Sequence, residues 1–268
     1  MKDRVPVLIS RNNPRIKQIR ALRQRKRRDE AGLFLVEGIR HIGEAIEAKA
    51  QIELLCYAPD LLTSAFAKEL LEQQQAKGTL CLALEDEVFA SLAEKENPQG
   101  LLAVVRKPSW MLDQLSPENF PWGVALVSPQ DPGNVGTILR TVDAVGASGL
   151  LLLESSADPY HPSAVRASMG ALFWHPVVQT SFIDFIYWAR GQSYTLYGTS
   201  AHGSTEFRSI ERYHTPCVLL MGSAREGLSP EQAQQCDLLL RLSMHGKVTS
   251  LNLAVAAGVM LYAMEQSI

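Results

Sequence analysis

Apolar and polar positions along this chain follow two alternating patterns. Short apolar runs bounded by Gly, Pro, Asn, Asp or Ser are separated by longer stretches in which apolar residues recur at helical spacing. In the first part of the chain this predicts strands at Leu33–Val36, Leu54–Tyr57, Thr79–Leu84 and Leu101–Val105. Helices are predicted at about Ile39–Ala48, from near Thr63, and around Val88–Ala93. Ahead of them, Asn13 precedes Pro14 as a capping residue before a first-turn proline, and Ile16, Ile19 and Leu22 follow at helical spacing. Three prolines between Lys107 and Pro121 then break the alternation. The expected organisation is a small α/β unit over residues 1–107, a linker at 108–121, and a second α/β unit over 122–268.

The second unit has strand candidates at 124–127, 149–153, 173–179, 194–199, 217–221 and 237–242, with helices between most of them. Runs such as Leu150–Leu153 and Val218–Met221 carry no polar alternation, which marks strands covered on both faces and a mainly parallel sheet. Ligands of such sheets bind outside the carboxyl ends of the strands. The first of these strands leads through a turn-forming stretch, Ser128–Gly133, into a helix over Asn134–Gly146. Val135, Ile138, Leu139 and Val142 fall at i, i+3, i+4 and i+7 and give that helix an apolar face; Asn134 is placed to cap it, and Arg140 lies off the apolar face.

A chain of 268 residues with 46% hydrophobic content can bury a sizeable core. No apolar run approaches the roughly 20 residues that span a bilayer, and the opening residues lack the apolar segment of a signal peptide, so a soluble cytoplasmic protein is expected. Cys56, Cys81, Cys217 and Cys236 are far apart and the six histidines are scattered, so neither a disulfide framework nor a metal site is expected. The net charge of -2 conceals a strong asymmetry. Residues 1–28 hold eleven Lys or Arg and one acid, which leaves fifteen basic and twenty-seven acidic residues in the remainder. Such a stretch suits a phosphate backbone, and Arg20, Arg23 and Arg27 are candidate RNA contacts; a solvated helix face is the plainer alternative.

The common nucleotide and hydrolase signatures are absent. No GxGxxG follows a strand, Gly246-Lys247 lacks the rest of a phosphate-binding P-loop, and there is no GxSxG nucleophile turn. Three polar, glycine-containing clusters stand instead at the ends of predicted strands: Asn134 to Arg140, Met221 to Glu231, and Leu242 to Asn252 at the start of the last helix. Each cluster alone is compatible with caps and turns.

Taken in order, Asn134-Val-Gly-Thr-Ile-Leu-Arg140, Gly222-Ser-Ala-Arg-Glu-Gly-Leu-Ser229 and Ser250-Leu-Asn252 resemble the three motifs of the SpoU (TrmH) family of RNA ribose 2′-O-methyltransferases. Phe34-Leu-Val-Glu-Gly38 and Asn97-Pro-Gln-Gly-Leu-Leu-Ala103 are similar to the substrate-binding domain of rRNA-directed members, which is related to a ribosomal-protein fold. The resemblance implies a parallel-sheet α/β-knot (SPOUT) domain with a deep trefoil knot, S-adenosylmethionine bound bent in the knot, and a homodimer with the site near the subunit interface. Position by position it implies cofactor contacts at Gly222, Leu242 and Leu251, and a catalytic set of Arg140, Asn134, Ser250 and Asn252, with no metal. It also suggests a phosphate contact for Arg166. A guanidinium of pKa above about 12 stays protonated, so Arg140 is expected to position phosphate and stabilise charge. The family's second motif carries a glutamate where this chain has Ala224, and Glu226 is the neighbouring acid placed to substitute. The expected substrate is structured RNA, rRNA ahead of tRNA, and a catalytically silent RNA-binding or assembly protein on the same fold is the competing reading.

Overall fold

The computed structural model describes residues 7–8, 10–223 and 225–268. The chain forms two units, one of Met1–Pro108 with Tyr160–Arg166 and one of Ser109–Pro159 with Ala167–Ile268.

The first unit runs β1 (Val7–Leu8), α1 (Pro14–Ala21), α2 (Arg25–Ala31), β2 (Leu33–Glu37), α3 (Ile39–Glu47), β3 (Ile52–Tyr57), α4 (Ala65–Ala76), β4 (Cys81–Leu84), α5 (Asp86–Ala90) and β5 (Leu101–Arg106). Its sheet has the order β1-β4-β3-β5-β2, with β1, β4 and β3 parallel and β5 antiparallel to both neighbours. α1 starts as the sequence predicts, with Pro14 in its first turn and the Asn13 Oδ1 accepting the Arg15 amide at 2.9 Å. Gly32, at φ 65°, ends α2 in the left-handed conformation that glycine adopts without strain.

The basic stretch is part of this unit's architecture. Ile16, Ile19 and Leu22 are buried in one core cluster with Leu54, Cys56, Leu102 and Val104. Arg28 is buried and donates to the Leu22 and Arg23 carbonyls at 2.9 and 2.7 Å. Two of the three arginines expected to meet RNA are likewise engaged: Arg20 donates to the Ser91 hydroxyl at 2.7 Å, and Arg23 donates to the Ala93 carbonyl. Arg27 is exposed and paired with Glu30 at 2.8 Å. The physical reason is that a short amphipathic helix pair buries one face, and the long arginine stems beside that face bring their heads to the carbonyls where α2 and α5 begin and end. Arg15 and Lys17 remain exposed, with no ion pair among the described residues.

The second half runs β6 (Trp122–Val127), α6 (Pro132–Ala144), β7 (Leu150–Leu153), α7 (Pro162–Ala167), α8 (Ala171–Trp174), β8 (Val177–Thr180), α9 (Phe182–Gly191), β9 (Thr195–Thr199), β10 (Thr205–Glu206), β11 (Cys217–Met221), α10 (Pro230–Gln234), β12 (Leu238–Arg241) and α11 (Leu253–Glu265). The sheet order is β10-β12-β9-β11-β6-β7-β8 and every pairing is parallel, as the unbroken apolar runs imply. Of the stretch 173–179 expected as a strand, Phe173 and Trp174 belong to α8 instead. A left-handed Gly170 at φ 104° starts that extra helical turn, and Pro176 precedes the strand.

Residues 109–121, expected as a linker, pack into this second unit. Leu115 and Phe120 are buried in its core with Phe185 and Tyr194. The Leu115 carbonyl accepts from Trp188 Nε1 at 3.0 Å and Gln192 Nε2 at 2.9 Å, and the Tyr194 hydroxyl donates to the Phe120 carbonyl at 2.6 Å. Prolines prevent a regular ladder here without preventing burial of the apolar side chains between them. Within the first unit, the segment Tyr160–Arg166 sets the Tyr160 ring 4.9 Å from Phe34 and under Lys107, and pairs Arg166 with Glu94 at 2.5 Å.

All four cysteines are free thiols; burial pushes Cys56 and Cys217 up to about 12 and Cys236 to about 11, so they stay protonated at neutral pH. Among the described residues no helix is long and apolar enough to cross a membrane, and no His, Cys, Asp or Glu cluster has metal-binding geometry.

Because Ile16 is fully buried, Ile16→Ala is expected to lower the urea-unfolding stability by about 2–5 kcal/mol. A loss below ~0.5 kcal/mol would identify α1 as a surface arm instead.

Candidate active site

The loops that leave the carboxyl ends of β9, β11 and β12 enclose a cleft of about 690 Å³. Its walls come from Thr199–His202, Met221–Ser223 with Arg225–Leu228, and Leu240–Met244, from Thr249–Leu251, and from Leu253, Ala256 and Met260 of α11. The second wall is a tight turn. The Ser223 amide donates to the Gly227 carbonyl at 3.1 Å, the Gly227 amide returns to Ser223 at 3.0 Å, and Gly227 takes φ 69°. The returning chain passes so close to Gly222 that a Cβ there would lie 1.9 Å from the Gly227 carbonyl carbon and 2.2 Å from the Leu228 nitrogen. Only glycine fits there. Ser229 then caps α10, accepting from the Gln232 amide while Gln232 returns a bond to Ser229.

Five of the residues singled out from the sequence line this cleft: Gly222, Glu226, Leu242, Ser250 and Leu251. Glu226 and Ser250 are exposed, and the Glu226 amide is held by the Ser223 hydroxyl at 3.1 Å. Ala224 lies outside the described residues.

Asn134 and Asn252 meet in a second cluster. α6 is capped by Asp131, whose carboxylate accepts the Gly133 amide at 2.9 Å, with Pro132 in the first turn. This corrects the expectation that Asn134 is the cap, and it frees the Asn134 side chain. Asn252 caps α11, its Oδ1 accepting the Ala254 and Val255 amides at 2.8 and 3.4 Å, and its Nδ2 donates to Asn134 Oδ1 at 3.1 Å. One side chain thus starts the last helix and ties it to the first turn of α6, against which α11 packs. Val135, Ile138, Leu139 and Val142 form the buried face of α6.

Arg140 stands on the same helix about 9 Å further along its axis. It is exposed and makes no hydrogen bond or ion pair with the described residues, Glu226 included. Arg166 is not brought to this cluster; it belongs to the first unit and is paired with Glu94. The sequence reading passed over the wall Thr199–His202, although a Ser-Ala-His-Gly turn after a buried parallel strand is the kind of strand end at which ligands bind.

A cleft lined by a glycine-containing turn, by apolar side chains such as Leu242, Leu251 and Met260, and by the carboxylate of Glu226 and the hydroxyl of Ser250 can hold a ligand of mixed polarity. Residues 121–262 match the SpoU rRNA Methylase family, and residues 13–103 match the MRM3-like substrate binding domain. The chain belongs to the SpoU rRNA methylase family. Among its relatives, the 23S rRNA (uridine(2479)-2′-O)-methyltransferase of Streptomyces viridochromogenes is 35% identical over 262 residues, covering 95% of this chain and 90% of that protein. The 23S rRNA (guanosine(2553)-2′-O)-methyltransferase RlmP of Bacillus subtilis is 27% identical over 256 residues, covering 94% and 96%. An AdoMet-bound rRNA methyltransferase from Sinorhizobium meliloti superposes with a TM-score of 0.87 at 35% identity, over 96% of each chain.

Asn252→Ala removes both a helix cap and the link to α6, and is expected to cost about 1–2 kcal/mol in denaturant unfolding. An unchanged midpoint would show that the asparagine pair carries no structural weight. Gly222→Ala is expected to abolish ligand binding in the cleft by displacing the 223–228 turn, read as loss of the calorimetric binding signal of a folded variant; binding at wild-type strength would contradict the close approach.

Proposed function

We propose that this protein transfers a methyl group from S-adenosylmethionine to a ribose 2′-hydroxyl of rRNA. The observation that carries the reading is the convergence of Gly222, Leu242, Ser250 and Leu251 on one cleft, beside the Asn134–Asn252 pair at the foot of the helix bearing Arg140. The S. viridochromogenes and B. subtilis relatives are named as 23S rRNA 2′-O-methyltransferases and the S. meliloti neighbour was solved with AdoMet, which favours this cofactor, and rRNA over tRNA. The match to a substrate-binding domain over 13–103 gives the RNA a second surface. The cytoplasmic location expected from the sequence belongs to the same proposal.

The residues suit the cofactor. Gly222 lets the 225–228 segment fold back close enough to form one wall, and Leu242, Leu251 and Met260 supply apolar surface for a flat ring. S-adenosylmethionine supplies an electrophilic sulfonium methyl. The ribose 2′-oxygen would accept that methyl, with S-adenosylhomocysteine as the leaving group and the hydroxyl proton passing to water. The chain's task is to align oxygen and methyl and to balance the charge that develops on oxygen. Arg140, exposed and with no hydrogen bond or ion pair to the described residues, suits a substrate phosphate and the charge beside it. Asn134 and Asn252 keep the two helix starts in register, and the Ser250 hydroxyl adjoins the cofactor cleft.

The homodimer belongs to the same proposal. α11 is apolar nearly all round, and its Val255 and Tyr262, seven residues apart and so on one face, are half-exposed at 52% each. A second copy over this face would cover them. The trefoil threading of the chain through its own loop is proposed with it, on the strength of the family and of the return of the chain from β12 at one side of the sheet to α11 against α6. Ala224 supports the second reading, a silent RNA-binding module, since the family's acid is missing there.

Arg140→Ala is expected to cut methyl transfer from radiolabelled S-adenosylmethionine to rRNA at least ~100-fold while the fold and cofactor affinity persist. Full activity in the variant would remove Arg140 from the mechanism. A wild-type protein that binds cofactor and RNA without transferring methyl would establish the silent module.

A further inference from the structure

Between β9 and β11 the chain takes a detour that no sequence pattern announces. It turns through Ser200–Gly203, adds β10 at the sheet edge with Glu206 opposite Arg241, and leaves through the buried Phe207. The detour is fastened to β12 by its main chain. The Ser200 amide donates to the Leu240 carbonyl at 2.9 Å, and Gly203 is so close that a Cβ would lie 2.8 Å from the Leu239 carbonyl oxygen. From this anchored position the Glu206 carboxylate reaches beyond the end of β12. The Ser243 hydroxyl donates to its Oε2, and Arg241 Nε lies 3.7 Å from the same oxygen.

These two partners flank Leu242, and all three residues line the cleft. Among the described residues, Glu206 is the only hydrogen-bond partner of the whole loop 242–251, most of which is exposed. That loop supplies Leu242, Ser250 and Leu251 to the site, so its one polar anchor lies outside the cleft and on another strand. The Ser243 hydroxyl, with Arg241 and Arg208 adding smaller contributions, holds the Glu206 carboxyl below the usual carboxylate range, so the anchor is charged at neutral pH.

We propose that Glu206 is a positioning residue for the cofactor: by gripping Arg241 and Ser243 it fixes Leu242 and the start of the 242–251 loop, and so sets the affinity for S-adenosylmethionine. The proposal rests on the reading of the cleft as the cofactor site. A loop with few internal contacts samples many arrangements, and charge-assisted bonds from the Ser243 hydroxyl and amide to Glu206 at its root remove much of the ordering cost that binding otherwise carries. The far end of the loop is held separately, by the Asn252 cap of α11 and its bond to Asn134, so the anchor acts on Leu242 and the loop's start.

The test uses the full-length chain, calorimetric titration with S-adenosylmethionine, and steady-state methylation of rRNA. Glu206→Ala is expected to raise the cofactor Kd and KM about tenfold, with kcat at saturating cofactor and the KM for rRNA unchanged. Ser243→Ala is expected to weaken cofactor binding in the same way, and Glu206→Gln, which keeps an acceptor for the Ser243 hydroxyl, to recover part of the affinity. Wild-type affinity in both Glu206→Ala and Ser243→Ala overturns the inference, as does a fall in kcat that tracks the thermal midpoint without a selective change in cofactor KM. Should Glu206→Ala fail to fold, Ser243→Ala alone decides. A wild-type chain that does not bind S-adenosylmethionine overturns the functional reading and this inference with it; a wild-type chain that binds, with variants that bind equally well, overturns the inference alone.

Discussion

The contact between the main chain at Gly222 and the returning chain at Gly227 and Leu228 is the constraint on which the site depends. A parallel sheet delivers the ends of β9, β11 and β12 to one side, but three adjacent strand ends make only a shallow edge. The turn after β11 doubles back within van der Waals contact of its own root, closed by paired main-chain bonds between Ser223 and Gly227. That fold-back forms a wall, and the loop after β12 forms another; the cleft is the space they leave.

A second joint couples the cleft to the chemistry. Asn252 follows the loop that borders the cleft, caps α11, and reaches Asn134 at the start of α6. Any shift of the last helix is therefore felt at the helix that carries Arg140. The groups concerned come from three distant stretches of chain, and none does chemistry alone. The reaction class needs alignment and charge compensation more than an unusual base, which agrees with the exposed guanidinium of Arg140, unpaired among the described residues.

Much of this was legible in the sequence. The apolar face of α6 is written in its 3.6-residue period, and the parallel second sheet in its unbroken apolar strands, because burial on both faces admits no polar alternation. Reading failed where two local signals competed or where tertiary packing decided. Asp131 with Pro132 is the stronger helix start and displaced Asn134 from the cap. The arginines of α1 and α2 carry the charge of a nucleic-acid patch, yet Arg20, Arg23 and Arg28 are spent on carbonyls and a hydroxyl that only the folded unit brings near. Proline density marked 108–121 as a linker, although Leu115 and Phe120 had the apolar content to pack. Glu206 left no trace at all: an acid on a two-residue edge strand has no period, and its partners Arg241 and Ser243 are fixed by strand register alone.

The central claim is that the cleft, the asparagine joint and Arg140 together methylate a ribose hydroxyl. The most direct measurement is nucleoside mass spectrometry of 23S rRNA incubated with the protein and S-adenosylmethionine, then digested with and without prior alkali. The account predicts one new methyl group on a ribose 2′-oxygen, recognised by an alkali-resistant linkage at that nucleotide. A methyl group on a base, or rRNA returned unmodified by a protein that binds the cofactor, would contradict it.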